Sequence, residues 1–392
     1  MQPINKVTLN EQSGALLMRT VKNVVEARRH RRAIRLKLPD TLGIKLTNRC
    51  NLRCTHCYQW NESGYHRDME RGEQTTDLDI GVFERLMEET RPVKSRIYLW
   101  GGEPLVHRKI DRILELLEQD PRDTTICTNA HFIGKHMDAL CRISENLEFL
   151  IALEGFEAEH DLLRGKGSFQ KVMGTIDELV ALRAQGRFKG KLSIHTVISD
   201  SMVGRFYELM EFYESKGIDL VLLCFPWYIS EETSREMDTF VRDKFDWLID
   251  SGKARHSWDA FKYRLAPRSI NALMVDLEKI NSRTWRTKVR YQPGLEFDEI
   301  EDFVRGKTMT ARCATTCQVL HTRADITPTG KVTACKFFSE FAVGNLRDQS
   351  LGELWTSNNY NRIRQTFGQQ LSPACSKCNV LYLHAHSTPL HI

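Results

Sequence analysis

The chain has 392 residues, of which 41% are hydrophobic and 27% are charged, the composition of an ordinary soluble protein. No apolar run approaches the roughly 20 residues that span a membrane, and no signal-peptide pattern is present, so we expect a cytoplasmic protein with no membrane partner. Eleven cysteines without a secretory signal favour metal binding over disulfides.

The net charge of +5 comes from residues 1–40, which hold nine Lys and Arg against three Asp and Glu. Such a patch suits a phosphate, an acidic peptide or nucleic acid. It has no interleaved aromatic residues, which single-stranded nucleic-acid binders use for stacking. We therefore predict a solvated helical extension over 1–40 and do not expect a nucleic-acid partner.

Residues 41–225 alternate short apolar runs with amphipathic stretches, which predicts strand–helix units around a parallel sheet. The predicted strands are 42–47, 96–100, 124–128, 147–153, 192–198 and 219–225. Six such units form either a doubly wound sheet or a partial (β/α)6 TIM-like barrel, and in both folds ligands bind at the C-terminal ends of the strands. The residues that follow each strand are therefore the candidates for chemistry.

Residues 226–310 lose this alternation and are rich in charged and aromatic residues, which predicts a helical segment near the barrel mouth. Its aromatic side chains either shape a substrate pocket or fill the core between helices. Residues 311–392 form the last unit, a small α+β domain. Within it, residues 325–332 predict a hairpin that turns at Gly330, and residues 350–366 predict a helix.

Cys50, Cys54 and Cys57 lie in one loop directly after the first predicted strand, with three and two residues between them. Three thiolates at this spacing can ligate one iron–sulfur cube and leave one iron open, and an open metal position is where chemistry occurs. The alternatives are a structural zinc loop or three unrelated thiols. Zinc usually takes a matched fourth ligand, and His56, between two of the cysteines, is poorly placed to supply it.

The loop resembles the signature of the radical S-adenosylmethionine (SAM) superfamily, in which SAM chelates the open iron of a [4Fe–4S] cluster held by the three cysteines. After the second predicted strand, the run 101–104 (Gly-Gly-Glu-Pro) resembles the superfamily's GGEP motif, which contacts the amino group of SAM. By that resemblance Gly101, Gly102 and Glu103 bind SAM. His56 and Tyr58 match the loop positions that pack near the adenine.

Two later runs extend the same resemblance. Thr128 and Asn129 match the family's Thr-Asn-Gly at the end of the third strand, but Ala130 replaces the Gly, which weakens the expectation of an unusual backbone angle there. In the stretch 160–164 (His-Asp-Leu-Leu-Arg), Arg164 matches the residue that reaches the SAM carboxylate, a contact that suits a guanidinium. The run 152–155 has Ala where the family often has Ser, so the ribose contact stays open, and Glu154 remains a polar group for the cavity.

Five cysteines fall in the last eighty residues. Seventeen residues separate Cys317 from Cys335, a Gly lies five positions before Cys335, and a Cys-x-x-Cys follows at the end. This pattern resembles the Twitch domain, a shortened SPASM domain that holds one auxiliary [4Fe–4S] cluster. The four matching cysteines are Cys317, Cys335, Cys375 and Cys378. A structural zinc is the alternative occupant, since four thiolates serve both metals. Cys313 is the surplus thiol, which either replaces Cys317 as a ligand or stays free.

The resemblance implies a reaction in which one-electron reduction of the first cluster cleaves SAM to methionine and a 5′-deoxyadenosyl radical, which takes hydrogen from an unactivated C–H bond. An external reductase, flavodoxin or ferredoxin would supply the electron. Because an auxiliary cluster can accept an electron from the substrate radical, we predict oxidation, either dehydrogenation or cross-linking, of a natural product, a sugar or aminocyclitol, or a peptide.

Two other functions remain open. A thiol that returns hydrogen to the opposite face would make the protein an epimerase, with Cys224, near the end of the sixth predicted strand, as the candidate donor. Cys224 and Glu154 are therefore the candidate catalytic residues, although a small apolar filler and an ordinary strand-end carboxylate are the simpler interpretations. A non-catalytic iron–sulfur electron carrier is the alternative of another class, but a carrier needs four protein ligands rather than an open iron. We predict that Cys127 and Cys141 lie in the core.

Overall fold

In the computed structural model of the chain, which describes residues 32–249, 255–307 and 316–384, ten strands form one continuous sheet. The strands are β1 (Thr41–Thr47), β2 (Arg96–Gly101), β3 (Thr124–Thr128), β4 (Leu147–Ala152), β5 (Lys191–Val197), β6 (Leu220–Cys224), β7 (Lys288–Gln292), β8 (Arg323–Ile326), β9 (Lys331–Thr333) and β10 (Ala342–Asn345). Their order across the sheet is β10-β9-β8-β1-β2-β3-β4-β5-β6-β7. The six predicted strands are all present, as β1 to β6.

The seven strands β1 to β7 pair in parallel with their neighbours, and residues from β2 through β8 line a common cavity, so the sheet curves around it as a partial barrel. The predicted α/β fold class, a partial (β/α)6 TIM-like barrel with a C-terminal α+β unit, is confirmed. The structure adds one parallel strand, β7, within the segment that the sequence predicts to be helical. Its residues are half-buried or exposed, so the strand lacks the apolar run that identifies its neighbours.

The strands are connected and flanked by helices. These are α1 (Arg71–Gln74), α2 (Ile80–Glu89), α3 (Ile110–Gln119), α4 (Met137–Arg142), α5 (Glu157–Arg164), α6 (Ser168–Ala184), α7 (Phe206–Ser215), α8 (Glu231–Phe245), α9 (Ile270–Asn281), α10 (Ile300–Val304), α11 (Val319–Thr322), α12 (Leu351–Trp355), α13 (Asn358–Gln369) and α14 (Asn379–His384). Residues 32–36 are also helical, and the rest of the predicted N-terminal extension lies outside the described residues. The predicted helix at 350–366 is present as α12 and α13, which Ser357 separates by capping the second one.

Strand alternation divides the core from the barrel interior. On β1, Leu42, Ile44 and Leu46 are fully buried in the apolar layer beneath the helices. The opposite face of the same strand includes Gly43, where an added Cβ would meet the Asp325 carboxylate at 1.9 Å. The outer face of the sheet therefore forms the hydrophobic core, while the inner face of β1 meets polar side chains of β8.

The C-terminal unit is continuous with the barrel sheet. β8 pairs in parallel with β1, in a register that sets Thr41 opposite Arg323, and β9 and β10 continue the sheet antiparallel. The predicted hairpin is therefore present, and Gly330 in its turn has a φ of +84°, a conformation that favours glycine. Because the hairpin extends the barrel sheet, residues next to its cysteine face the same interior as the loop after β1.

Candidate active site and cluster sites

A cavity of about 450 Å³ occupies the interior of the barrel, at the C-terminal ends of the strands. The predicted site residues that line it are Cys50, Cys54, His56, Cys57, Tyr58, Gly101, Gly102, Thr128, Asn129, Arg164 and Cys224. Lys336 and Phe337, which follow Cys335, and Asn379 and Val380, which follow Cys378, line the cavity as well. The cavity is thus bounded by the first cysteine loop and by residues adjoining the second set of cysteines.

The three thiols of the first loop are close together and shielded from water. Burial raises the pKa of Cys50 to about 12 and that of Cys54 to about 11, and the neighbouring thiols add to the shift. The N–H of Leu52 donates to Sγ of Cys50 at 3.4 Å, and Nη1 of Arg164 lies 3.6 Å from Sγ of Cys54. Buried thiols that already receive N–H donors suit a cationic metal cluster, whose charge would favour the thiolate form.

Gly101 and Gly102 are required by the packing of this loop. The N–H of Gly102 donates to the carbonyl of Thr47 at 2.9 Å, and the N–H of Glu103 donates to the carbonyl of Arg49 at 2.8 Å. A Cβ on Gly102 would lie 2.1 Å from the carbonyl oxygen of Arg49, and one on Gly101 would lie 2.6 Å from that of Thr47. The two glycines therefore let the end of β2 support the cysteine loop directly.

Glu103 lies behind these glycines and is not part of the cavity lining. Its buried carboxylate accepts from Oγ1 of Thr128 at 2.8 Å, from the N–H of Asn129 at 2.8 Å and from the N–H of Leu105 at 3.1 Å. Burial raises the pKa of Glu103 to about 7, against the effect of these hydrogen bonds. Glu103 thus joins the ends of β2 and β3, and three of the predicted SAM-binding residues form one bonded group.

Ala130 adopts the backbone angle that the sequence argues against. Its φ is +65°, in the left-handed region, although a Cβ is present. Its N–H donates to Oγ1 of Thr128 at 3.0 Å. Nδ2 of Asn129 donates to Oδ1 of Asn51 at 2.8 Å, which ties this turn to the cysteine loop. The replacement of Gly by Ala therefore leaves the turn in place, and the unusual angle, whose expectation Ala130 had weakened, is present.

Glu154 and Arg164 face each other across the wall of the cavity. Glu154 is completely buried and outside the lining, and it accepts from Nε of Arg164 at 2.9 Å and from the N–H of Val197 at 2.6 Å. Nε2 of His56 lies 3.4 Å from the same carboxylate. Burial alone would raise the pKa of Glu154, but Arg164 and His56 outweigh it and hold the pKa well below its usual value. This geometry suits a residue that positions Arg164 and His56.

The second set of cysteines is gathered at the junction of β8, β9 and the C-terminal helices. Burial raises the pKa of Cys317 to about 12, with the thiol of Cys375 adding to the shift, and Cys378 is close enough to the other three thiols to be affected by each. The N–H of Leu381 points at Sγ of Cys378 at 3.4 Å, and Oγ of Ser372 is 3.2 Å from Sγ of Cys375. Such donors to sulfur are typical of iron–sulfur sites.

Within residues 32–249, 255–307 and 316–384, no three His, Cys, Asp or Glu side chains converge closely enough to hold a single metal ion. Cys313, the surplus thiol, lies outside the described residues.

The cavity includes one residue that we predicted to lie elsewhere, one predicted candidate, and two residues that the sequence predictions omit. Cys127, which we predicted to be core, faces the cavity with Tyr98, because it occupies the inward side of β3. Cys224 is buried, and its Sγ donates to Oε1 of Gln292 on β7 at 3.3 Å. Arg323 and Lys336 bring positive charge from the C-terminal unit. Strand alternation in the sequence could have placed Cys127 on the inward side of its strand. The positions of Arg323 and Lys336 depend instead on the pairing of β8 with β1.

Aromatic rings close the mouth of the cavity. Tyr58 stacks on Phe261 with ring centres 4.6 Å apart, and Trp227 packs on Phe337 at 3.9 Å. Trp258, from the same segment, is fully buried in the core. Both predicted roles of the aromatic residues in 226–310 therefore occur, because some shape the pocket and others fill the core.

Two family models match the chain. Residues 44–210 match the Radical SAM superfamily, and residues 317–379 match SPASM, an iron–sulfur cluster-binding domain. Together they span more than half of the sequence, and each includes one of the two cysteine sets. In the part of the chain that the structure describes, no helix has the length and apolar character needed to cross a membrane.

Similar proteins include a cofactor-modifying protein of tungsten-containing aldehyde ferredoxin oxidoreductase from Pyrococcus furiosus, 23% identical, with 86% of this chain and 87% of that protein covered. The mycofactocin maturase MftC of Mycobacterium ulcerans is 24% identical over 88% of this chain and 81% of its own. Among solved structures, Streptococcus suis SuiB bound to precursor peptide SuiA has a TM-score of 0.56 at 18% identity, covering 93% of this chain and 74% of that one. At that identity the structural likeness shows the fold alone.

The family matches agree with what the residues can hold, since the cysteines of each set are grouped, at least half-buried and supplied with donors to sulfur. The predicted cofactors, a [4Fe–4S] cluster with SAM and auxiliary iron–sulfur binding, are confirmed at the level of these domains. The chain therefore has a domain of the Radical SAM superfamily, followed by a C-terminal iron–sulfur cluster-binding domain of the SPASM type.

Proposed function

We propose that the protein removes hydrogen from a C–H bond of a substrate held in the barrel cavity and oxidises that substrate, giving a dehydrogenated or cross-linked product. The observation that carries this proposal is the position of the cavity. The first cysteine loop lines one part of it, and the residues that directly follow Cys335 and Cys378 line another. A substrate in this space lies between the two cysteine sets.

The first cluster would be held by Cys50, Cys54 and Cys57, and the auxiliary cluster by Cys317, Cys335, Cys375 and Cys378. When bound, the first cluster and SAM supply a radical that takes hydrogen, and the auxiliary cluster supplies a one-electron acceptor. Since the four cysteines that match the domain are the number that one cube takes as ligands, we propose a single auxiliary cluster and hence the shortened, Twitch form of the domain. A flavodoxin, a ferredoxin or another reductase would provide the electron.

The chain's own residues position SAM and exclude water. Gly101 and Gly102 present backbone groups to the cavity, and Glu103 fixes the turn that carries Thr128 and Asn129. The remaining SAM contacts that we propose come from the cysteine-loop residues His56 and Tyr58 and from the cavity-wall residue Arg164. Tyr58 stacks on Phe261 at the mouth, and this aromatic cover shields a reactive site from solvent.

We propose a peptide as the substrate class. One similar fold has been solved with a precursor peptide, and a relative from Bacillus subtilis, 22% identical over 87% of this chain and 64% of its own length, is named for biosynthesis of the bacteriocin subtilosin. A sugar or another small molecule is the alternative substrate class, and a test of the peptide proposal must compare the two.

Epimerisation is a second candidate because of one specific observation. Cys224 lines the cavity as a buried thiol with its Sγ bonded to Gln292, so a hydrogen donor is present. Burial raises the pKa of Cys224 well above its usual value, which keeps the thiol protonated. We favour oxidation, since the cysteines near Lys336 and Asn379 give the electron an acceptor.

The experiment that tests the enzyme class is anaerobic incubation of the reduced protein with SAM. We expect 5′-deoxyadenosine, measured by liquid chromatography and mass spectrometry, and its absence from the Cys50→Ala/Cys54→Ala/Cys57→Ala variant. A protein that carries full iron but forms no 5′-deoxyadenosine would be an electron carrier, the alternative of the other class.

A further inference from the structure

Lys336 extends into the cavity without an anionic partner. It follows Cys335 directly, and its ammonium lies over three rings, 4.5 Å from the centre of Tyr98, 5.2 Å from Trp100 and 5.1 Å from Phe337. Within the described residues it makes neither a hydrogen bond nor an ion pair. Aromatic rings hold an ammonium in place by attraction to its charge, but they do not neutralise it.

No carboxylate among the described residues pairs with Lys336. The groups that act on its charge are Arg323, Asp325 and the thiols of Cys127 and Cys378. Both carboxylate oxygens of Asp325 are bonded to Nε of Arg323, at 2.9 and 3.1 Å, so that pair is already neutral. The remaining carboxylate in the lining, Glu148, accepts from Ser193 at 2.6 Å and forms no ion pair among the described residues.

Two buried indole N–H groups in the same cavity also lack an acceptor. Nε1 of Trp100 and Nε1 of Trp227 have no hydrogen-bond partner, and Trp100 is only 7% exposed. Trp100 lies beneath the ammonium of Lys336, and Trp227 packs against Phe337, which contacts the same ammonium. Both indole N–H groups are enclosed by protein, so this part of the lining offers a ligand the ammonium of Lys336 rather than the indole N–H groups.

We propose that Lys336 binds a carboxylate group of the substrate. This inference rests on the proposed function and names the chemistry that the cavity selects. A single ammonium next to a cluster held by four thiolates suits a singly charged carboxylate better than a phosphate dianion. The carboxylate can come from a peptide terminus, an acidic side chain or a free acid, and all three present the same oxygens. Because Lys336 adjoins Cys335, the bound group lies on the auxiliary-domain side of the cavity.

The test measures binding of a matched pair of probes, N-acetyl-leucine and N-acetyl-leucinamide, to the oxidised holoprotein with SAM by isothermal titration calorimetry. The two probes differ in the charge of the carboxyl end. We expect the wild-type protein to bind the acid about tenfold more tightly than the amide, a difference of about 1.4 kcal/mol. Lys336→Met should abolish this preference, and Lys336→Arg should retain most of it.

Lys262→Met is the matched control. Lys262 lines the same cavity, but its ammonium is already paired with Glu231 at 2.8 Å, so its loss should leave the acid preference intact. Equal affinities of the wild-type protein for the two probes, or no binding of the acid, would overturn the inference. A preference that survives in Lys336→Met, or one that is lost equally in Lys262→Met, would also overturn it.

Three further measurements distinguish a carboxylate site from a phosphate site and from a SAM contact. Phosphate that binds more tightly than the acid would contradict the choice of a singly charged group. A weaker affinity of Lys336→Met for SAM would assign the lysine to the SAM carboxylate instead. If the wild-type protein forms 5′-deoxyadenosine yet shows no acid preference, the carboxylate inference is wrong while the proposed function stands. If it forms none, the proposed function fails.

Discussion

Arg164 and Glu154 form a buried ion pair in the wall of the cavity, in which Nε of Arg164 donates to Oε1 of Glu154 at 2.9 Å. The same guanidinium places Nη1 3.6 Å from Sγ of Cys54. One side chain therefore connects the end of β4, where Glu154 lies, to the cysteine loop after β1. The pair also brings a positive charge to thiols that must become thiolates when they bind metal.

The first prediction concerns this ion pair. Glu154→Gln keeps the shape of the side chain but leaves Arg164 buried without its counter-charge, which costs about 3 kcal/mol or more. We expect the thermal unfolding temperature of the holoprotein to fall by several degrees. Glu148→Gln is the control, because that carboxylate lies on β4, just before Glu154 in the chain, and among the described residues its hydrogen-bond partner is Ser193 alone. Equal small shifts in the two variants would show that the ion pair contributes little to stability.

The second prediction concerns SAM binding. Charge-assisted hydrogen bonds contribute about 1.5–3 kcal/mol, so Arg164→Ala and Glu103→Ala should each weaken SAM roughly ten- to hundredfold. Arg164 should act by direct contact, and Glu103 by holding Thr128 and Asn129 in place. Equilibrium dialysis of labelled SAM against each variant, with iron content checked, gives the affinities. Arg183→Ala, on the surface beside Asp219, is the control. If both site variants bind SAM normally, their assignment is wrong.

The third prediction is a pH dependence that arises from Glu103. Burial raises its pKa to about 7, so in the folded protein it keeps a proton that the unfolded chain releases near the ordinary value of 4.5. Between these two values the unfolded state binds fewer protons, and stability therefore falls as pH rises, by about 1.4 kcal/mol per pH unit. Melting curves between pH 5.5 and 7.5 should show this slope in the wild-type protein and a flatter one in Glu103→Gln. Parallel slopes would assign the dependence to other groups.

The sequence predicts those parts of the fold that depend on local pattern. The strands β1 to β6 carry apolar runs, so both their number and their bounds follow from composition. β7 does not, because an edge strand needs little apolar surface and Lys288–Gln292 is half-buried or exposed. Ala130 shows a second limit, since its neighbours hold it at a φ of +65° that an alanine does not favour alone.

The site was predictable where chemistry is encoded in spacing, as for the two cysteine sets. It was not predictable where the pairing of strands brings together residues that are distant in the sequence. Lys336 reaches the cavity because β8 pairs with β1, and the hydrogen bonds from Thr128 and Asn129 to Glu103 join the ends of two strands. No local pattern around Lys336 signals that its ammonium is unpaired. Such contacts between distant segments require the folded structure.

The fourth prediction is cluster content. After anaerobic reconstitution, we expect about eight iron and eight sulfide per chain, as two [4Fe–4S] cubes require. Replacing Cys50, Cys54 and Cys57 by Ala should leave about half of the iron, and Cys317→Ala/Cys335→Ala should remove the other half. Iron and zinc are measured together by mass spectrometry. Zinc at one per chain with half the expected iron would show that the second set holds zinc instead of a cluster.

The last prediction distinguishes oxidation from epimerisation. Cys335→Ala removes a proposed ligand of the auxiliary cluster, so product should be lost while 5′-deoxyadenosine formation persists, because the first cysteine loop is unchanged. Cys224→Ala should have little effect on an oxidation, since its thiol serves only an inversion. Mass spectrometry of the product after turnover in deuterated water gives the deciding measurement. A two-hydrogen loss in mass without solvent deuterium supports oxidation. Deuterium at an inverted carbon with no loss in mass, together with loss of inversion in Cys224→Ala, would establish the epimerase instead.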